Sequence, residues 1–124
     1  MDVIDRVQIE PTTGCPYIPL TEPEKDIYKG AGEHLAAFDG RGRLVELWDV
    51  HDQVDIHSPD EDANAILGLA ANWVGAQQAK GRTVYAVMCS CFDLCEPECV
   101  DLPQNAARLA RWIGDAVAAA WADE

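Results

Sequence analysis

The sequence predicts an α+β domain: a small sheet, built from a hairpin and one buried strand, with two main helices packed on it. Three observations carry this. A glycine-rich turn at Asp39-Gly40-Arg41-Gly42 separates two apolar runs, a helix start at Ser58-Pro59-Asp60-Glu61 opens a stretch with apolar residues at helical spacing, and Val84 to Met88 is continuously apolar. A chain of 124 residues encloses one core and not two, so residues 1–124 form a single domain, with 1–32 its less regular N-terminal segment.

In the first thirty residues Pro11, Pro16, Pro19 and Pro23 surround a short apolar segment from Val3 to Ile9, which reads as one edge strand followed by irregular chain. Thr21 with Glu24 three residues on marks a short helix that Gly30 and Gly32 would end. The hairpin follows, its strands running from about His34 to Phe38 and from Leu44 to Val50. Its second strand is expected to continue, because Val50, Val54 and Ile56 share one parity while Asp49, His51, Gln53, Asp55 and His57 share the other.

Ser58, Pro59 and Glu61 each suit a helix N-terminus, and Gly81 after Lys80 supplies a stop. Between them Ala63, Ile66, Leu67, Ala70, Trp73, Val74 and Gln77 form the buried stripe, with the small residues Gly68, Ala71 and Gly75 on a second line. This helix is expected to cross over between parallel strands. Thr83 to Cys89 is the buried strand. After a cysteine-rich loop, Asp101 and Gln104 with Pro103 in the first turn open the last helix, which presents Leu109, Ile113, Ala116, Val117, Ala120 and Trp121 inward and Arg108, Arg111 and Asp115 outward.

Charge narrows the function classes. Asp and Glu number 22 against 9 Lys and Arg, for a net charge of -13, which repels nucleic acid backbones and anionic membranes and favours a basic protein or nucleoprotein surface as partner. From Leu44 to Ala79 there is no Lys or Arg, and Glu46, Asp49, Asp52, Asp55, Asp60, Glu61 and Asp62 all fall there. These seven are the expected docking residues. A second base-free stretch, Thr83 to Ala107, holds Asp93, Glu96, Glu98 and Asp101. Carboxylates gathered on one side would occupy a Lys and Arg groove that otherwise holds nucleic acid, as small phage-encoded inhibitors of restriction or CRISPR complexes do. The plainer reading is a solubilising surface with acidic residues at a helix N-terminus. Met1 is followed by Asp2 and Asp5 with no long apolar run, so the expected location is the cytoplasm.

Two constellations carry other chemistry. Cys89, Cys91, Cys95 and Cys99 have the spacing C-x-C-x3-C-x3-C, and a closed structural zinc site is the alternative reading of the protein. Four ligands within eleven residues are compact for a tetrahedral cage, and Cys89 also reads as the last buried residue of its strand. Asp49, His51, Asp55 and His57 repeat Asp-x-His, a set suited to metal or acid-base chemistry and equally to a solvated strand face. His34 receives no role. No phosphate loop, paired-histidine zinc helix or nucleophile elbow is present, which favours a non-enzymatic protein. Trp112 lies off the apolar stripe of its helix and is a candidate anchor for a partner or for a second copy of the chain.

Overall fold

The computed structural model describes residues 2–53 and 59–122, with the backbone alone at 59–62 and 121. In chain order the elements are β1 (Gln8–Ile9), β2 (Pro16–Pro19), α1 (Glu22–Lys25), β3 (Gly32–Phe38), β4 (Leu44–Asp49), α2 (Pro59–Ala79), β5 (Thr83–Ser90), β6 (Asp93–Cys99) and α3 (Ala106–Ala122), with single 3-10 turns at Val3–Arg6 and His51–Gln53. The six strands form one sheet in the order β1-β2-β6-β5-β3-β4, and every ladder is antiparallel.

The α+β class is as expected, and the sheet is larger than the hairpin plus one strand. β4 and β5 both run antiparallel to β3, so they are parallel to each other with β3 between them. The helix α2 therefore crosses over between parallel strands, as expected, and β3 lies between the two. The cysteine loop is also a correction: Ser90 and Asp93 pair across a two-residue turn, Cys91-Phe92, whose φ angles of 50° and 64° satisfy a type I′ hairpin. α3 begins at Ala106, after a turn in which Asn105 N–H donates to Asp101 O at 2.7 Å, rather than at Pro103.

Both faces of the sheet are covered, which is why Leu35-Ala36-Ala37-Phe38 reads as an unbroken apolar run. Leu35, Ala37, Val84, Ala86 and Val100 meet Ile66, Ala70 and Val74 of α2 and Leu109, Ile113, Ala116 and Val117 of α3. On the other face Ala36, Phe38, Leu44, Leu47, Val87, Cys89 and Leu94 lie under Val3 and Leu20, with Val7, Ile27 and Tyr28 at the rim. That second cover is the N-terminal segment.

An ion pair fastens it. Arg6 Nη1 donates to Glu24 Oε2 at 2.6 Å and to Gly42 O at 2.8 Å, while Nη2 donates to Glu24 Oε1 at 2.7 Å and to Pro19 O at 3.0 Å. Glu24 also accepts the N–H of Thr21 at 2.9 Å, the expected helix-start contact of α1, and the N–H of Leu44 at 2.6 Å. Burial alone would raise the Glu24 carboxyl, but Arg6 and the two backbone donors outweigh it and hold the group at about 2. Among the described residues no helix is long and apolar enough to cross a membrane.

Candidate functional site

Of the expected docking carboxylates, Glu46 and Asp49 lie on opposite faces of the sheet. Glu46 stands opposite Ala37 on the helix-covered side, where it accepts from Gln77 Nε2 and pairs with Arg82 at 3.3 Å. Asp49, three residues on in a strand of period two, points to the other side, 3.6 Å from His34 Nε2. Its Oδ1 accepts the N–H of His51 at 2.9 Å. The strand ends there, and Asp52 sits exposed in the 3-10 turn, so the expected continuation past Val50 does not form as far as Gln53. Asp60, Glu61 and Asp62 lie in the first turn of α2, while Asp55 and His57 fall outside the described residues.

A different group converges. Between α3 and the sheet lies a cleft of ≈ 190 Å³ lined by Glu33, Met88, Glu96, Glu98, Trp112 and Asp115, with Val87 and Ala116. Strand parity explains the sheet side: Glu33 pairs with Met88, Met88 with Cys95, and Glu98 with Ala86, all on the helix-covered face. The register between β5 and β6 slips so that Glu96 and Pro97 oppose Val87 alone. This bulge, with Glu96 in the left-handed region at φ 52°, lets Cys95 and Glu98, three residues apart, share the helix-covered face, and uses Pro97 where no ladder bond is needed; Glu96 lines the same cleft. From α3, Trp112 and Asp115 are three residues apart and therefore on one side of the helix. Trp112 is half-buried, packed on the helix-side core along one edge and bordering the cleft along the other.

No Lys or Arg lines the cleft among the described residues. His51 stands beside it, its Nε2 3.2 Å from Glu33 Oε2 and its ring over Gly32, and Arg108, one turn before Trp112 on α3, is engaged by the carbonyl of Cys99 at 2.8 Å. Four more of the nine Lys and Arg are held by the fold: Arg6 by Glu24, Lys25 by Glu22 at 3.0 Å, Arg43 by Asp39 at 3.1 Å, and Arg82 by Glu46. The chemistry available in the cleft is attraction of a positive group to carboxylates beside an aromatic wall.

The cysteines are dispersed by the same parity. Cys89 pairs with Leu94 beneath the N-terminal cover, Cys99 pairs with Tyr85 on that same side, Cys95 pairs with Met88 on the helix side, and Cys91 is exposed at the turn. Among the described residues no three His, Cys, Asp or Glu side chains are arranged to hold a metal ion. Burial pushes the Cys89 thiol up to about 12, with Asp49 adding to the effect, so it is a packed group and not a nucleophile. Cys95 instead shares a second cavity with Cys15 and Tyr17.

His34 is fully buried, although nothing in its sequence neighbourhood singles it out. Its Nδ1 lies 2.9 Å from Gly32 O, its Nε2 has no hydrogen-bond partner, and Asp49 is the carboxylate it faces. The cleft was partly legible: Glu96, Glu98 and Trp112 each stood out in the sequence. Glu33 and Met88 did not, since only the pairing of β3 with β5 brings them to Trp112. No protein-family model, curated protein or solved structure matches the chain.

Proposed function

We propose that this is a non-enzymatic, acidic binding protein, an inhibitor or adaptor that docks on a basic, nucleic-acid-binding partner. The observation that supports it is the cleft, where Glu33, Glu96, Glu98 and Asp115 meet with no Lys or Arg among the described lining residues. The net charge of -13 adds long-range attraction to the same kind of surface. Asp52 and the acidic first turn of α2, Asp60 to Asp62, add further negative charge in a stretch without Lys or Arg. Occupation of a groove built for a nucleic acid backbone is the mode of action in this reading, and anti-restriction or anti-CRISPR activity is its phage-encoded form. The five free thiols favour a reducing compartment, the cytoplasm.

The experiment is capture of partners from the native host followed by binding kinetics on the captured protein. One variant carries Glu96→Lys, Glu98→Lys and Asp115→Lys, and another carries Asp52→Lys, Asp60→Lys and Glu61→Lys. Each is expected to slow association by about ten-fold or more and to flatten its dependence on salt. Association unchanged in both variants overturns the proposal.

A further inference from the structure

We infer that the cleft seats a single arginine side chain of the basic partner, an assignment that rests on the reading above and specifies its chemistry. Three features select a guanidinium over other cations. Trp112 offers a flat aromatic wall, against which a planar delocalised cation stacks with more contact than a compact, strongly hydrated ammonium. Carboxylates approach from two elements, Glu96 and Glu98 from β6 and Asp115 from α3, and a forked donor bonds to two of them at once. Met88 and Ala116 supply apolar lining for the methylene stem behind the charged head.

The occupant is set by charge complementarity. Four carboxylates facing a common space repel one another, and a cation placed among them removes that repulsion while losing little hydration in so open a cleft. The nearby Arg108 is engaged by the carbonyl of Cys99 at 2.8 Å, and Glu33 by His51 at 3.2 Å, which leaves the β6 and α3 carboxylates for the ligand.

The test uses the full chain, labelled for NMR, and three synthetic peptides of glycine and serine with one central arginine, lysine or citrulline. The arginine peptide is expected to shift the indole N–H of Trp112 and the methyl of Met88 in a saturable way. Affinity is expected to fall by about ten-fold in Glu98→Gln combined with Asp115→Asn, exposed positions whose replacement leaves the core intact. The lysine peptide should bind more weakly and citrulline should not saturate. Equal binding of arginine and citrulline, lysine binding as tight as arginine, displacement by calcium at equal concentration, or shifts that map away from the cleft would each overturn the assignment.

An oligo-arginine peptide separates this failure from that of the broader reading. Salt-dependent binding that perturbs only residues outside the cleft removes the arginine seat and keeps the docking function. Absence of salt-dependent binding removes both.

Discussion

The two sides of the sheet are closed by different physics. Towards α2 and α3 the core is aliphatic, with Ile66, Val74, Leu109 and Ile113 buried against Leu35, Val84 and Ala86, and the polar groups, Glu46 with Gln77 and Arg82 and the carboxylates of the cleft, stand around it. Towards the N-terminal segment the apolar cover is thinner, and a buried Arg6–Glu24 pair, side-chain caps and the His34–Asp49 contact take part. Helices bring a wide apolar stripe and satisfy their own backbone, whereas an irregular cover must find partners for its polar groups one at a time. The first side is therefore held mainly by apolar area, and the second is specified by ionic geometry.

Glu24→Ala is the strongest way to break this contrast. It leaves a buried guanidinium without its counter-charge and the Leu44 N–H without its acceptor, and the expected loss is about 3–5 kcal/mol in urea unfolding. A loss below about 1 kcal/mol would show that the ion pair is incidental.

Thiol chemistry reads the same cover kinetically. With its thiol held at about 12 against an ordinary 9.0, Cys89 should carry about a thousand-fold less thiolate than a free cysteine, and it is buried as well. Alkylation followed by mass spectrometry should modify Cys15 and Cys91 first and leave Cys89 until the N-terminal cover opens. Glu24→Ala should bring Cys89 labelling forward. Modification of Cys89 as early as Cys15 in the native protein would contradict the packing.

The pH dependence has a definite sign. Glu24 is depressed in the folded state, so its contribution is fully present above the unfolded value of 4.5 and is lost as pH falls through about 2. The stake is roughly 3 kcal/mol, visible as a falling urea midpoint across that window, and Glu24→Gln should remove this dependence. Ile113→Ala, on the helix side, should cost about 3 kcal/mol with the acid response of the parent retained. Identical acid responses in the parent and Glu24→Gln would place the acid sensitivity elsewhere.

The smallest expected effect lies at the β5–β6 turn. Cys91 occupies the left-handed region at φ 50°, a conformation that glycine adopts freely, so Cys91→Gly should stabilise by roughly 0.5–1 kcal/mol. Phe92 has φ 64°, but its ring stacks on Tyr28 at a centroid distance of 4.7 Å, and Phe92→Gly should lose that contact and with it the gain.

The same contrast decides what was legible in the sequence. The hairpin turn at Asp39–Gly42, the start of α2 at Pro59, the glycine stop after it and the strand from Thr83 are local chemistry, and each stands where expected. β2 and β6 were not legible, because Pro-Tyr-Ile-Pro and Asp-Leu-Cys-Glu-Pro-Glu-Cys lack the β-branched composition of a strand. β6 is nevertheless an interior strand, with Pro97 placed at its bulge. The cleft depends on that strand, so Glu96 and Glu98 were visible only as part of an acidic tract, and Glu33 required a pairing across more than fifty positions. Asp49 and Glu46 were grouped by proximity in sequence, and strand alternation separated them.

Strand order also fixes a timetable for synthesis. Besides β1, the strand Pro16–Pro19 has β6 as its neighbour among the described residues, and β6 is the latest of the six strands in chain order. The short β1–β2 ribbon must therefore wait for its place in the sheet while most of the polypeptide emerges, and a nascent chain halted before residue 93 would leave it open to proteolysis however well the central hairpin had already formed.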